Sequence, residues 1–385
     1  MKKLKLGIVG TGSRGKSMFN IIAALKGVAP TAACDLNRDL WFTAAPSEKS
    51  MSELYPKVKF YESFDEMLES SGINTLLVET PATCHADFCA KALLRGINVY
   101  SDIPTVRTLA EADMLWKVHS KSDAMFMTGA TTMGWGFILK MQSLFRSGVM
   151  GAPISLEAEY IHDCRYLWEK TPWRKPNSTD SFAPIRYCTH SLGPLLSIMD
   201  EDLKSVYCVS TGSKITDNEY ADDYMTAIFQ TPSGVALRLT CSFINNSKIG
   251  NHSYRIFSTN GYFEHISARE DGAPHTRYNT IHDKDAEKLT PLAVDFSPYT
   301  DETARKFKPK DNAVSGGHGG ADGYLMQLFV DALLNGKPSP IPLRDGLRMT
   351  IPGIYAAESA IRKKSLTIRY PWEKGFAKDT RIYNL

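Results

Sequence analysis

Residues 7–22 read GIVGTGSRGKSMFNII, the end of an apolar run followed at once by a glycine-rich turn and an amphipathic stretch. Gly10, Gly12 and Gly15 fall in GxGxxG spacing between a strand expected over residues 4–9 and the first helix. Glycine there permits a tight turn and lets a pyrophosphate come close to the backbone, where the helix N-terminus stabilises its charge. A GxGxxG alone is a weak signal. Here a second strand-like run, residues 28–34, ends at Asp35, 20 residues beyond Gly15, where a carboxylate accepts hydrogen bonds from the adenosine ribose hydroxyls of a dinucleotide. Strand, turn, helix and acid therefore agree on a dinucleotide site comprising Gly10, Gly12, Ser13, Arg14, Gly15 and Asp35. Asp35 would repel a ribose 2′-phosphate, which favours NAD over NADP, with Arg38 nearby as the counter-argument. The competing reading is a glycine turn beside a surface aspartate.

Outward from that stretch, further strands are expected over residues 58–61, 73–78, 97–100 and 124–128, separated by helix signals. Two of these are capping boxes, Ser63 with Glu66 and Thr108 with Glu111, and Gly96 is a helix stop. Strict alternation of strand and helix implies parallel strands with right-handed crossovers, so residues 1–128 read as a doubly wound α/β domain of Rossmann type. From residue 129 to 385 the texture changes. After a helix over 137–146, strand-like runs dominate at 154–161, 206–210, 224–230, 235–243, 254–258 and 262–266, and QTPSGVA and STNGYF supply hairpin turns. This reads as an α+β domain with a large open, mostly antiparallel sheet. Residues 284–320, polar and rich in Pro and Gly, are assigned no regular element, and helices at 324–336 and 345–364 close the domain.

A chain of 385 residues favours two domains. Hydrophobic content of 43%, charge of 23% and a net charge of +3 are ordinary for a globular protein and argue against nucleic-acid or anionic-membrane partners. The seven cysteines form no CxxC pair, which fits free thiols in a reducing compartment. The opening MKKLKLGIVGTG is too short in apolar residues for a signal peptide or membrane span, and a cytoplasmic location is expected.

The segments GTGSRG (10–15) and VETPATCHADFCAKALLRGINVYSDIPTVRTLAEA (78–112), with the open-sheet second half, resemble the glucose-fructose oxidoreductase and inositol dehydrogenase (Gfo/Idh/MocA) family over nearly the whole chain. The resemblance implies a nicotinamide at the junction of the two domains, a sugar or polyol substrate, and a homo-oligomer formed through the open sheet. Thr80, Pro81 and His85 match positions that line the cofactor, and Asp102 and Pro104 go with them. For His85, a hydrogen bond at a helix start is an equal alternative.

In dehydrogenases of that family, Glu-Lys-Pro follows the fifth strand, and its lysine assists removal of the hydroxyl proton. This chain has Asp102, Ile103 and Pro104, and where the family places Asp four residues before a catalytic His it has Arg186 before His190. The changed residues are similar to those of glycoside hydrolase family 109: SDIPTV (101–106), YIHDCR (160–165), THSLGP (189–194) and GHGGAD (317–322) occur in that order. That resemblance implies transient oxidation of a sugar at C3, loss of the C2 proton, elimination of the C1 substituent, addition of water and return of C3 to the alcohol. It places His190 as acid/base at the C3 hydroxyl and Tyr160 as base at C2, with His162, Arg165 and His318 of the matched motifs as substrate contacts; Arg186 and Trp173 are further candidate contacts. A histidine suits the first role because its ordinary pKa lies near neutrality. Arg186 could hold an anionic group of the substrate, and a surface arginine paired with solvent or a nearby acid is the equal alternative.

Other readings stand beside these. Tyr160 and His162 alternate on one strand and could be core, His190 could be a helix cap, and His162, Cys164, Cys188 and His190 could gather around zinc, though their spacing is not a usual zinc signature. Trp135, Tyr166, Trp168 and Trp173 could stack on sugar rings or fill core. At the level of function, a net sugar dehydrogenase and a non-catalytic NAD-binding sensor are the alternatives.

Overall fold

The computed structural model describes residues 3–167, 183–217, 221–246, 251–266, 275–281, 288–309 and 316–382. The chain divides into two compact units, Met1–Thr131 with Lys306–Gly346, and Thr132–Arg305 with Leu347–Leu385.

In the first unit six strands, β1 (Leu4–Val9), β2 (Val28–Cys34), β3 (Lys59–Tyr61), β4 (Thr75–Val78), β5 (Asn98–Ser101) and β6 (Phe126–Thr128), form one sheet in the order β3-β2-β1-β4-β5-β6. Every pairing is parallel. Helices on both faces bury such strands completely, and all four residues of β4 are buried. Thr108 and Glu111 make the expected reciprocal capping box on helix Leu109–His119. Ser63 accepts from the Glu66 amide at 3.3 Å. A further full box, Ser50 with Glu53, caps the four-residue helix Met51–Leu54. Helix Ala321–Asn335 also belongs to this unit, and its Phe329 packs on Tyr100 of β5 with ring centroids 5.5 Å apart. Within 284–320 the described residues carry only single turns, at Pro298–Thr300, Arg305–Phe307 and His318–Gly320, and a two-residue strand.

The second unit is built on nine strands: β7 (Pro153–Ile161), β8 (Ser205–Ser210), β9 (Tyr224–Gln230), β10 (Ala236–Ser242), β11 (His252–Ser258), β12 (Gly261–Ile266), β13 (Thr276–Thr280), β14 (Thr290–Pro291) and β15 (Leu366–Thr367). Their order is β14-β13-β12-β11-β7-β10-β9-β8-β15. All neighbours are antiparallel except β7 and β10, which run parallel with Tyr160 beside Cys241. One face is core: Met225, Ala227 and Phe229 of β9 are buried, whereas Tyr224 and Ile228 on the opposite face are exposed. Burying a side chain such as Phe229 stabilises the fold by about 2–3 kcal/mol. Among the described residues no helix is long and apolar enough to cross a membrane.

Candidate functional site

In the first unit the glycine turn is shaped for close approach. Gly10 has φ of +90°, and a Cβ there would lie 2.6 Å from the backbone of Glu79. A Cβ on Gly15 would lie 2.0 Å from the Gly10 carbonyl oxygen, so the helix start can sit this near the turn only without a side chain. Gly12 is different, because a Cβ there would meet nothing within 4 Å. It is the N-cap of helix Ser13–Ala23, which has no side-chain cap, and Ser13 is exposed. The turn thus leaves open space in front of a helix N-terminus, as a pyrophosphate requires. Asp35 is held at its edge, with Oδ2 accepting from the Thr11 amide at 2.6 Å and Oδ1 from the Asn37 amide at 2.9 Å. The Arg38 guanidinium lies 4.3 Å over the Phe42 ring and 3.7 Å from the Glu62 carboxylate.

Arg14 points sideways from this turn into a set of carboxylates. Its Nε donates to Asp102 Oδ2 at 3.2 Å, and its Nη atoms donate to Asp322 at 2.7 and 3.1 Å and to Thr131 Oγ1 at 3.2 Å. Glu79 Oε2 lies 3.9 Å away on a side chain with no exposed surface. Burial, with Asp102 close by, pushes the Glu79 carboxyl well above the usual carboxylate range. Asp322 goes the other way: although buried, it is held below that range by the His318 and Arg14 hydrogen bonds and charge. His318 Nδ1 stands 3.0 Å from Asp322 Oδ2. His85 is buried, with Nδ1 2.9 Å from the Pro104 carbonyl and Nε2 2.7 Å from that of Thr80, so its ring braces the loops after β4 and β5. Thr80 Oγ1 is buried there, while Pro81 is exposed. Ile103 is buried at 7% exposure, and the Ile103–Pro104 peptide is cis.

In the second unit, Tyr160, His162 and His190 come together. Tyr160 Oη lies 3.3 Å from His162 Nδ1, and the His190 ring meets the Tyr160 ring edge-on with centroids 5.5 Å apart. His190 is the second residue of helix Thr189–Leu196, and the buried Tyr254 hydroxyl donates to its carbonyl at 2.6 Å. Arg165 is drawn back onto Asp163, its Nε 2.9 Å from Oδ1. Arg186 sits on the single turn Pro184–Tyr187 just before the His190 helix, half-buried. His318 belongs to the first unit, and Trp173, like Trp168, lies outside the described residues. Trp135 is core, at 4% exposure among Phe137, His252 and Phe296, whereas Tyr166 is 63% exposed. Cys188 is buried and its thiol donates to the Met349 carbonyl at 3.1 Å. Among the described residues no group of three His, Cys, Asp or Glu is placed to hold a metal ion.

Two members of this cluster are absent from the sequence reading. Tyr187, three residues before His190, contacts its ring at 5.2 Å, and that helical spacing was a usable signal. His252 stacks on Tyr160 at 4.2 Å. It lies just before the strand expected from residue 254, and only the pairing of β11 with β7 sets it opposite Tyr160.

Comparison with known proteins agrees with both units. Residues 4–130 match the family model described as "Oxidoreductase family, NAD-binding Rossmann fold", and residues 138–264 match the GFO/IDH/MocA C-terminal domain. A glycosyl hydrolase family 109 protein of Saccharopolyspora erythraea is 24% identical, covering 96% of this chain and 83% of that protein. An alpha-N-acetylgalactosaminidase of Shewanella oneidensis is 23% identical, with 96% and 85% covered. Among solved structures, a levoglucosan dehydrogenase in complex with NADH and levoglucosan superposes with a TM-score of 0.79 at 15% identity, over 95% of this chain and 99% of that one. Scyllo-inositol dehydrogenase of Lactobacillus casei, with NAD(H) and scyllo-inositol bound, gives 0.72 at 17% identity over 95% and 99%.

Proposed function

The chain belongs to the Gfo/Idh/MocA oxidoreductase family, and from that premise we propose that it is an NAD-retaining enzyme that cleaves a glycoside, or eliminates a group from a sugar derivative, by transient oxidation at C3. The observation that carries this reading is the Tyr160–His162–His190 cluster together with a buried Ile103 where dehydrogenases of the family have lysine.

The residues of the first unit fit the cofactor. Gly10, Gly12, Ser13 and Gly15 would face the pyrophosphate, Asp35 the adenosine ribose, and Thr80, Pro81, Asp102 and Pro104 would flank the rest. His85 and Arg14 hold those loops in place. Asp35, with Arg38 occupied by Phe42 and Glu62, favours NAD over NADP. When bound, NAD supplies a reversible electron-pair acceptor for the C3–H bond. His190 takes the proton from the C3 hydroxyl and later returns it. Tyr160 removes the C2 proton, which the C3 ketone has made acidic, and the C1 bond breaks with its electron pair leaving on the departing group. Water adds at C1, and C2 regains a proton. No oxocarbenium ion arises, so the pair of spaced carboxylates used by other glycosidases is unnecessary. His162, Arg165, Arg186, Trp173 and His318 are the proposed substrate contacts, in a sugar whose identity, anomer and leaving group are left open.

The exposed sheet face supports a homo-oligomer. Tyr207, Ile228, Arg238, Glu157, Arg255, Glu264 and Arg277 stand in one cross-strand row, greasy at one end and alternating in charge at the other. A second copy would cover Ile228, now 58% exposed, and Ile228→Arg should shift the mass by light scattering to that of a smaller species.

The decisive experiment denatures purified protein to identify released nucleotide, then incubates native protein in deuterated water with p-nitrophenyl glycosides, beginning with the N-acetyl-α-galactosaminide. The expected result is bound NAD, free p-nitrophenol, deuterium at C2 of the sugar and no accumulating NADH. NADH formed without p-nitrophenol would establish a net sugar dehydrogenase instead, and bound nucleotide without turnover a sensor.

A further inference from the structure

His252 of β11 stands directly opposite Tyr160 of β7, and their rings lie face to face, 4.2 Å between centroids and 16° between planes. Trp135 meets the same imidazole edge-on at 4.9 Å. Around Tyr160 stand Phe243 and His190, both edge-on, at 5.4 and 5.5 Å. Tyr160 and His252 are each only 8% exposed.

This arrangement matters because a phenol ring is loosely determined about its last torsion. The well is broad and two-fold, so a tyrosine packed among aliphatic side chains keeps its volume but not its plane. A flat neighbour at stacking distance removes that freedom, because turning the ring would drive its edge into the imidazole. Edge-on contacts alone tolerate rotation better. A leucine or methionine at position 252 would fill the same cross-strand space without imposing a plane. Histidine supplies the plane from the strand beside β7. Turning the ring leaves the phenol oxygen in place, 3.3 Å from His162 Nδ1, because that oxygen lies on the rotation axis, but it swings the oxygen's in-plane lone pair, whose direction the stacked imidazole fixes.

We propose that His252 is a positioning residue that holds the Tyr160 ring in its reactive plane; the proposal rests on the reading of Tyr160 as the group that takes the C2 proton. His252 acts through Tyr160 and touches no reacting atom. Proton abstraction from carbon needs the accepting lone pair aligned with the C–H bond, so loss of the ring plane lowers the rate without moving the oxygen.

The test compares His252→Phe, which keeps a flat ring, with His252→Leu and His252→Met, which fill the volume without one. Each is assayed in wild-type-like folded form, judged by thermal melting and retained nucleotide. The first readout is ring motion of Tyr160 by NMR of protein labelled with ¹³C-tyrosine, assigned by difference from Tyr160→Phe. The expected result is slow ring flipping in the parent and in His252→Phe, and averaged ε resonances in the Leu and Met variants. The second readout is deuterium uptake at C2 from the p-nitrophenyl glycoside that the parent cleaves. There kcat should fall about tenfold or more in the Leu and Met variants, with KM within about threefold, and His252→Phe should restore most of it. Unchanged ring motion and exchange in His252→Leu and His252→Met would overturn the proposal, and so would a His252→Phe as impaired as they are. If the parent itself exchanges no C2 proton with any glycoside, the reading of Tyr160 fails, while the ring-flip comparison still decides whether His252 holds its plane.

Discussion

Arg14 and Asp322, 308 residues apart, are joined by two hydrogen bonds of 2.7 and 3.1 Å, guanidinium to carboxylate. One residue belongs to the glycine turn, the other to the first turn of helix Ala321–Asn335. The pair ties a late segment of the chain to the start of the sheet, and Asp322 also accepts from Thr131 and faces His318.

Removing one partner of such a pair leaves the other charge buried. Asp322→Asn should lower unfolding free energy by about 3 kcal/mol at neutral pH. The folded carboxyl of Asp322 lies below its ordinary value, so its contribution is complete above the unfolded pKa of about 4 and is lost as pH falls through the folded one. Urea midpoints of parent and variant should therefore differ by a constant amount between roughly pH 5 and 7 and converge in more acid solution. A difference that persists undiminished under acid conditions would show that the ion pair is not its source.

Glu79 should behave in the opposite sense. Burial and the neighbouring Asp102 disfavour a further negative charge around one guanidinium and raise the Glu79 carboxyl well above the usual carboxylate range, so a protonated Glu79 at neutral pH is the expected outcome. A folded value above the unfolded one means that stability is lost as pH rises through the interval between them. Glu79→Gln, which is neutral throughout, should be at least as stable as the parent at neutral pH and gain on it as pH rises. An infrared difference spectrum between the two should show the carbonyl band of a protonated acid in the parent. Carboxylate bands in its place would mean that Glu79 is ionised.

Much of this was legible in the residues, and what was not has a physical reason. The strands at 4–9, 28–34 and 224–230 have the bounds expected, because glycine, aspartate or turn residues end each apolar run. Tyr160 and His162 meet because alternation along an extended chain is a local property. His252 was missed because facing Tyr160 depends on β11 pairing with β7, a long-range choice that no local pattern encodes. The Arg14–Asp322 pair was missed for the same reason: GHGGAD could be noticed as a motif, but not its landing place beside the glycine turn.

Nucleotide selectivity should reside in Asp35. Its carboxylate is held by the Thr11 and Asn37 amides, so it cannot swing away from a 2′-phosphate without breaking both bonds. Asp35→Ser should bring the dissociation constants of NAD and NADP for apoprotein closer by about tenfold or more, read by calorimetry. Unchanged preference would assign selectivity elsewhere.

Ile103 is the position at which the proposed chemistry and a lost dehydrogenase part company. Its side chain is 7% exposed, and the proposed reading sets it at the position of the dehydrogenases' lysine. Ile103→Lys would have to bury that charge, and the cost, about 2–4 kcal/mol, should appear as a lower melting temperature. If C2 acidity comes from the C3 ketone and the C3 proton goes to His190, lysine adds nothing to either step. The variant should therefore release p-nitrophenol no faster than the parent and produce no sustained NADH. His190→Ala should lose about 10²- to 10⁴-fold in rate, the usual share of a positioned acid/base, with bound NAD retained. If Ile103→Lys instead turns a protein that cleaves no glycoside into a rapid NADH-producing dehydrogenase, the fold has lost its lysine rather than replaced its chemistry, and the glycosidase reading gives way.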